Sequence, residues 1–239
     1  MSEPRVVTLQ EGFVLHTYPY RETSLLVEAL TRGSGRVTLV AKGARRPRSS
    51  VRGALMAFQP LALSWFGKGE MKTLAQAEWQ GGQPLLRGEA LLCGFYLNEL
   101  LVRLLAREDP HERLFERYRD ALRRLAADEP SAPILRGFEK ALLGELGYAL
   151  TLDHEVASGR PIDPEALYTY DPERGPLPLN GRGAELEVKG RTLLDVANED
   201  YADPQTLAQA KGLMRALINH RLDFQPLNSR RIFRELLEL

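Results

Sequence analysis

The stretch Gly35-Arg-Val-Thr-Leu-Val-Ala-Lys-Gly-Ala-Arg-Arg-Pro-Arg-Ser-Ser-Val-Arg52 decides the fold of the first part of the chain. Val37, Leu39 and Ala41 recur with a period of two, which predicts a half-buried β-strand. The alternation stops at Gly43, and Pro47 prevents further ladder pairing because it has no backbone N–H. Residues 42–52 hold five basic side chains and no acidic one. This pattern predicts a strand that ends in a cationic loop suited to a polyanion, although a solvated surface loop would give the same pattern.

Short strands continue on both sides of this stretch. The period-two pattern predicts strands near residues 6–9, 12–17, 25–30, 36–42, 61–66 and 72–78. Glycine-bearing turns at residues 31–35 and 67–70 join neighbouring strands as hairpins. Five or six strands in about 75 residues, without a long helical pattern, favour a small closed β-barrel. We assign this barrel to residues 1–80.

The hydrophobic pattern changes after Gly81-Gly82. Apolar residues then recur at helical spacing, so residues 83–239 are expected to form a mainly helical domain. Residues 152–191 are rich in Gly, Pro and Asp and predict an irregular loop or small ribbon inserted among the helices. Three pairs are predicted to supply helix N-caps: Asp109-Pro110, Asp203-Pro204 and Asn228-Ser229. The expected fold class is α+β.

The charge distribution is asymmetric along the chain. The whole chain carries 32 basic and 32 acidic residues, so the net charge is zero. Residues 1–80 carry 11 basic and 6 acidic residues, and the remainder carries 21 and 26. Such asymmetry indicates a polyanion-binding module joined to a module with other duties.

The composition also limits the compartment and the chemistry. The single cysteine, Cys93, excludes an internal disulfide and a cysteine-rich zinc site. No secretory signal and no apolar run of membrane-spanning length is visible, so we expect a cytoplasmic protein. The phosphate-loop motif of nucleotide hydrolases is missing, and no histidine has a second histidine at metal-ligand spacing. Only His154 leaves a weak metal site conceivable, and we expect no enzyme, metal or cofactor.

Binding of a nucleic acid fits the sequence better. Small barrels bind oligonucleotides with a positive groove and aromatic side chains that stack on bases. Tyr18, Tyr20 and Phe66 are available for stacking, whereas Phe13 and Trp65 fit the core equally well. Phosphate contacts predict salt-sensitive binding without sequence preference. The candidate DNA-binding cations are Arg36, Lys42, Arg45, Arg46, Arg48, Arg52, Lys68 and Lys72.

Blocks spread over nearly the whole chain resemble one known family. In chain order they are Tyr20-Arg-Glu-Thr-Ser-Leu-Leu-Val27, Gly35-Arg36, Ala41-Lys-Gly-Ala-Arg-Arg46, Tyr96-Leu-Asn-Glu-Leu-Leu101, Phe138-Glu-Lys-Ala-Leu-Leu-Gly-Glu-Leu-Gly-Tyr148 and Pro226-Leu-Asn-Ser-Arg-Arg-Ile-Phe233. Together they resemble RecO, the family of bacterial recombination mediators of the RecF pathway. The resemblance implies an N-terminal OB-fold barrel followed by a helical domain, in agreement with the periodicities.

The resemblance implies a role in DNA repair and recombination without bond chemistry. Members bind single- and double-stranded DNA and anneal complementary strands. With RecR they load RecA onto DNA coated by single-stranded-DNA-binding protein, which implies a nucleoid-associated protein. The helical domain is expected to hold the acidic, hydrophobic C-terminal tail of that protein. Arg136 is our candidate cation for the terminal carboxylate, and the alternative is that it pairs with Glu139 on its own helix.

One departure from the family concerns zinc. Many members carry a four-cysteine zinc site after the Leu-Gly-Tyr block, but residues 152–161 contain no cysteine here, so we expect no structural zinc. Two other functions remain open at this point. One is an adaptor whose helical domain docks partners, and the other is an RNA-binding OB-fold barrel without an annealing role.

Overall fold

A computed structural model describes residues 6–148, 150–179 and 186–237. The chain divides into two compact units. The barrel unit comprises Met1–Glu129 together with Leu227–Leu239, and the inserted unit comprises Pro130–Pro226. The boundary expected from the sequence, between residues 80 and 83, falls inside the barrel unit, and that division of the chain stays a prediction.

Five strands of the barrel unit close into a barrel. They are β1 (Val6–Tyr20), β2 (Ser24–Thr31), β3 (Gly35–Ala41), β4 (Leu61–Phe66) and β5 (Met71–Trp79), in the spatial order β1-β2-β3-β5-β4. Only β3 and β5 pair in parallel, and the other neighbours are antiparallel. Side chains alternate between the interior and the exterior except at the register shifts, and the core includes Val27, Val37, Leu39, Leu63 and Trp65. The predicted barrel and the α+β class are confirmed.

The first strand differs from its prediction. The sequence pattern divides it into residues 6–9 and 12–17, whereas the structure has one strand, β1. The pairing register of β1 with β4 shifts between Val7 and Gln10, and Leu9 lies there with a φ of 48°. An irregularity of this kind adds residues to one strand only and interrupts the alternation, so the strand reads as two.

Two long helices and the end of the chain complete the barrel unit. These are α2 (Gly88–Leu104), α3 (Glu112–Ala126) and α7 (Asn228–Leu237), which follow a short α1 (Ser50–Ala54). The predicted cap at Asp109-Pro110 was wrong, because α3 begins after His111. Residues 107–110 lie against the barrel instead, and the Glu108 N–H donates to the Arg36 carbonyl at 2.9 Å.

The N-terminus of α7 is held by a side chain of α2. The Glu99 carboxylate accepts the backbone N–H groups of Asn228 and Ser229, both at 2.8 Å. An anion at this position satisfies donors that a helix leaves unpaired and complements its dipole. The cap predicted from Asn228-Ser229 is therefore supplied by Glu99, far away in the sequence.

The inserted unit combines three helices with a small sheet. Its elements are α4 (Ser131–Glu145), β6 (Leu167–Asp171), β7 (Gly175–Pro178), β8 (Glu187–Lys189), α5 (Gly190–Ala197) and α6 (Pro204–Arg221). The strands pair antiparallel in the order β7-β6-β8, which is the small ribbon that the sequence predicts within residues 152–191. Residues 180–185 of that segment lie outside the described residues, and α5 was not predicted.

The cap predicted for α6 is confirmed, because the Asp203 carboxylate accepts the N–H groups of Gln205 and Thr206, both at 3.2 Å. Across the part of the chain that the structure describes, every helix is too short or too polar to cross a membrane.

Candidate nucleic-acid interface

The basic segment, defined here as residues 42–52, is anchored in the barrel. Ala44 is fully buried in the barrel core, Val51 packs against that core, and Leu55 is buried just beyond the segment. The sequence predicted that the whole segment is a loop, but its last residues are helical, because α1 begins at Ser50. Its five cations are exposed in the stretches beside these anchors: Lys42, Arg45, Arg46, Arg48 and Arg52. The fold therefore fixes the backbone of the segment and leaves its charges in solvent.

The basic segment lies against the turn between β1 and β2. The Arg45 N–H donates to the Thr23 carbonyl at 2.8 Å, and the Arg45 Nη1 lies 3.3 Å from the Arg21 carbonyl oxygen. The exposed Arg21 guanidinium lies 5.2 Å from the centre of the Tyr20 ring. Arg21 therefore joins the cations of the basic segment. Sequence reasoning missed it because only the pairing of β1 with β2 brings this turn to the segment.

A row of outward side chains crosses all five strands. Each member is the direct cross-strand partner of the next, so they share one face of the sheet. Phe66 and Tyr18 are 41% and 42% exposed. The His16 ring lies 4.4 Å from the Tyr18 ring, between centres, and extends the aromatic surface. The members of this outer row, in order around the barrel, are Val6, Phe66, Thr73, Val40, Leu26 and Tyr18.

The two aromatic members of the outer row, Tyr18 and Phe66, can stack on unpaired bases. Aromatic faces stack on bases of any sequence, at about 1–3 kcal/mol per base. Phe13 and Trp65, for which the sequence left the core open, are each only 1% exposed and lie inside the barrel unit. Of the predicted set, Tyr18 and Phe66 are exposed and Tyr20 is partly exposed, so these are the aromatic side chains that solvent reaches.

Arg36 lies in a buried charge cluster. Its side chain is 12% exposed, and its Nη1 lies 2.7 Å from a carboxylate oxygen of Glu28, whose side chain is 3% exposed. Its Nη2 donates to the Leu105 carbonyl at 2.9 Å. Arg107 and Thr38 contact the other Glu28 oxygen at 3.1 and 2.8 Å. We call these four residues, Glu28, Arg36, Thr38 and Arg107, the Glu28 cluster; it joins the barrel to the segment between α2 and α3.

Lys72, like Arg36, forms an ion pair within the protein, whereas Lys68 is exposed. The Lys72 side chain is mostly buried and forms an ion pair with Glu108 in the segment between α2 and α3. Lys68 is exposed in the turn between β4 and β5. The structure thus places the side chains of Arg36 and Lys72 in internal ion pairs, and the role of all eight cations in DNA binding stays a prediction.

Arg136, the candidate partner contact, lies in the inserted unit and is buried. Its Nη2 donates to a Glu139 oxygen at 2.6 Å, and its Nε lies 2.6 Å from the second oxygen. Glu139 is itself almost completely buried. The guanidinium therefore already neutralises a buried carboxylate, which matches the alternative that the sequence left open. Its contact with a partner's carboxylate stays a prediction.

The conceivable metal site at His154 has little support. The His154 Nδ1 lies 2.7 Å from the Asp153 carboxylate, and this hydrogen bond lowers the pKa of Asp153. In the described ranges of the chain, histidine, cysteine and acidic side chains do not form a group of three or more that could hold a metal ion.

Comparison with known proteins identifies the family. The family model described as Recombination protein O N terminal matches residues 5–82, and that described as Recombination protein O C terminal matches residues 85–231. The DNA repair protein RecO of Aromatoleum aromaticum is 58% identical over 240 residues, covering 100% of both chains. Those of Azoarcus sp. and Nitrosospira multiformis are each 56% identical, covering 100% and 96% of both chains. The chain belongs to the RecO family of DNA repair proteins.

Proposed function

We propose that the chain is a non-catalytic mediator that binds single- and double-stranded DNA and anneals complementary strands. In this proposal RecR and single-stranded-DNA-binding protein are its partners, and the complex loads RecA. The observation that carries the proposal is the basic segment, whose five exposed cations are held at one end of the barrel by the buried Ala44 within it and Leu55 just beyond it.

Phosphate binding at this segment follows from its charge and its fixed backbone. Each phosphate that a cation neutralises releases a counterion, which is the main source of affinity for DNA without sequence preference. Because the buried anchors already order the backbone, binding costs less conformational entropy than it would for a flexible tail. Arg21, whose carbonyl oxygen accepts from the Arg45 guanidinium and whose own side chain is exposed, adds a sixth cation to this end of the barrel.

The outer row supports binding of single strands in particular. A strand whose phosphates contact the basic segment has bases that are not paired, and their faces can stack on Tyr18 and Phe66. In duplex DNA these faces are covered by neighbouring base pairs, so only the phosphate contacts remain. We therefore expect tighter binding of single strands than of duplex at the same salt concentration.

Annealing has a physical basis in the same charges. Two strands repel each other through their phosphates, and a cationic surface reduces this repulsion and raises their local concentration. The chain needs no nucleophile or metal for this role, because base pairing itself supplies the free energy of annealing.

The test is binding of a labelled single strand, followed by fluorescence anisotropy over a series of salt concentrations. With 4–6 phosphates neutralised, we expect the slope of log affinity against log salt to be roughly −3 to −4. Arg45→Glu/Arg46→Glu is expected to weaken binding and flatten the slope by about 1.4, since each lost contact contributes about 0.7. Lys211→Glu/Arg215→Glu is the matched control, because it makes the same charge change at two exposed positions of α6.

The result that would overturn the proposal is equal binding curves for the wild type and the Arg45→Glu/Arg46→Glu variant. Absence of DNA binding by the wild type would favour an adaptor. Competition between DNA and RNA strands of the same sequence tests the preference for DNA, and a clear preference for RNA would favour an RNA-binding barrel.

The partner contact at Arg136 is best tested by changing the partner. Substituting Arg136 would leave Glu139 buried without its cation and would destabilise the inserted unit. We therefore compare an acidic, apolar peptide that ends in a carboxylate with the same peptide ending in an amide. If Arg136 holds the terminal carboxylate, the amide is expected to bind at least about tenfold more weakly, since a charge-assisted contact contributes about 1.5–3 kcal/mol. Equal affinities would exclude this role.

A further inference from the structure

A groove beside α3 has no role in the proposal above. It lies within the barrel unit, between α3 and residues 81–84, and its volume is about 860 Å³. The apolar residues of its lining are Pro60, Pro84 and Phe13, and Phe13 is only 1% exposed. Apart from Gln83, the polar residues of its lining lie on one face of α3: Arg113, Glu116, Arg117, Arg119, Asp120 and Arg123.

The sequence of α3 explains why arginines face this groove. The apolar residues of the helix recur at three- and four-residue spacing and are buried in the unit: Leu114, Phe115, Tyr118, Leu122 and Leu125. The positions between them lie on the other faces of the helix, and most of these are arginine or acidic residues. Packing of the apolar face therefore fixes the arginine-bearing face toward the groove.

The groove carries an excess of positive charge. Its four arginines outnumber its two carboxylates by two. Asp120 is paired with Arg123 at 2.7 Å, and Glu116 is paired with Arg119 and with Arg32. Arg119 also lies 3.3 Å from Glu11, which is outside the groove lining. Arg113 and Arg117 are exposed and one helical turn apart. A ligand with negative charge therefore fits the groove, and its charge must be spread along the helix.

A phosphate backbone has this distribution of charge. Arg113 and Arg123 are ten positions apart, which corresponds to about 15 Å along a helix that rises 1.5 Å per residue. A guanidinium binds phosphate oxygens in a bidentate manner, so arginines at intervals along the groove suit a polymer of phosphates. The glycines at 81 and 82 leave the opposite wall open, because a Cβ added at either would meet no atom within 4 Å.

We propose that the α3 groove binds the phosphate backbone of a second nucleic-acid strand, so that one molecule holds two strands at two sites. The inference rests on the proposed function for the first strand, which lies on the basic segment. If a protein has one site, the complementary strand must approach from solution, and the phosphates of the bound strand repel it. A second cationic site on the same unit removes this step and explains why α3 carries so many arginines.

The experiment counts strands per protein molecule. A short labelled oligothymidylate is titrated at a protein concentration well above the dissociation constant, so that the end point gives the stoichiometry. The variants are Arg113→Glu/Arg117→Glu for the groove and Arg45→Glu/Arg46→Glu for the basic segment. Lys211→Glu/Arg215→Glu on α6 is the matched control, with the same charge change at the same spacing. Circular dichroism checks the fold of each variant.

We expect two strands for the wild type and the control, and one strand for each of the other variants. In a second assay, annealing of complementary strands is expected to slow at least about tenfold in the groove variant, although its remaining site keeps wild-type affinity. A groove variant that still binds two strands, or a wild type that binds one, would overturn the inference. So would a labelled oligoglutamate peptide that binds the groove and resists displacement by the oligothymidylate, since an acidic protein would then be the ligand.

These outcomes are separate from failure of the proposed function. If the basic segment is not a DNA site, the Arg45→Glu/Arg46→Glu variant keeps the wild-type stoichiometry and salt slope, whatever the groove variant does. If only the groove inference fails, the Arg45→Glu/Arg46→Glu variant loses DNA binding, and the Arg113→Glu/Arg117→Glu variant binds as many strands as the wild type.

Discussion

Replacement of Arg36 by methionine separates a structural role of this arginine from a role in DNA binding. Arg36 contacts the buried Glu28 carboxylate at 2.7 Å and donates from Nε and Nη2 to the Leu105 carbonyl at 3.1 and 2.9 Å. Methionine fills much of the same volume but removes all of these polar contacts. The substitution therefore leaves a buried carboxylate with less neutralisation and removes one of the contacts that hold the segment after α2 on the barrel, while the backbone hydrogen bond of Glu108 and its ion pair with Lys72 remain.

The size of the effect follows from the contacts that remain. Removing the only partner of a buried charge destabilises a protein by about 3–5 kcal/mol. Glu28 keeps Arg107 at 3.1 Å and Thr38 at 2.8 Å, so the loss is smaller. We expect the free energy of unfolding of the barrel unit to fall by about 2–3 kcal/mol.

Urea unfolding followed by tryptophan fluorescence, to which the buried Trp65 and the exposed Trp79 of the barrel unit both contribute, measures this change. With an m-value of about 2 kcal/mol/M, the midpoint is expected to fall by about 1–1.5 M. Glu28→Leu/Arg36→Met is expected to recover most of the loss, because no buried charge is left unpaired. Arg48→Met is the matched control at an exposed position, and its free energy of unfolding is expected to change by less than about 0.5 kcal/mol.

DNA binding is expected to separate Arg36→Met and Arg48→Met in the opposite sense: the variant that is less stable binds DNA normally, and the stable one binds it more weakly. Arg48→Met is expected to weaken binding and reduce the salt slope by about 0.7, whereas folded Arg36→Met binds as the wild type does. The reasoning is refuted if Arg36→Met keeps the wild-type midpoint and loses DNA affinity to the same extent as Arg48→Met. In that case Arg36 contacts DNA, as the sequence suggested.

Three further substitutions test how segments are held together. Gly35→Ala is expected to destabilise the barrel unit by more than about 2 kcal/mol in thermal unfolding. Gly35 has a φ of +66°, and an added Cβ would lie 2.0 Å from the Asp109 carbonyl oxygen. An unchanged Tm would contradict this close approach. Asp203→Ala removes the cap of α6 and is expected to cost about 1 kcal/mol in urea unfolding, with Asp203→Asn as the control that retains most of it. Glu99→Ala removes the acceptor of two N–H groups of α7, so hydrogen exchange in α7 is expected to accelerate about tenfold, while unchanged exchange would show that this contact contributes nothing.

The barrel could be predicted from the sequence because its signals are local. Strands and their turns differ from helices in the period of the hydrophobic pattern, and the basic segment is visible as a run of cations without an acidic residue. The burial of Ala44 within that run was not visible, since a single alanine carries no periodicity. That burial distinguishes an anchored cationic segment from a solvated loop.

The contacts that the sequence did not reveal are long-range. In the sequence, Glu28 and Arg36 resemble ordinary surface charges on two strands. Their side chains are buried because the segment after α2, which includes Leu105 and Arg107, lies against them in the folded unit. Glu99 reads as a solvent-facing residue of α2, yet it caps a helix 129 residues later in the chain. The arginines of α3 read as an ordinary solvated face, because the sequence does not show which segment lies opposite them.

The order of the two units along the chain sets the timing of folding during synthesis. The barrel unit receives its last helix, α7, only after all of residues 130–226 have been made. At a translation rate of about 5–20 residues per second, this interval lasts roughly 5–20 s. During it the surface of α2 that contacts α7 is exposed, and the Glu99 carboxylate lacks the two N–H groups that it later accepts. A nascent chain stalled in this interval presents an apolar surface that chaperones recognise, so for this protein the ribosome's progress through the inserted unit determines how long the barrel unit remains vulnerable.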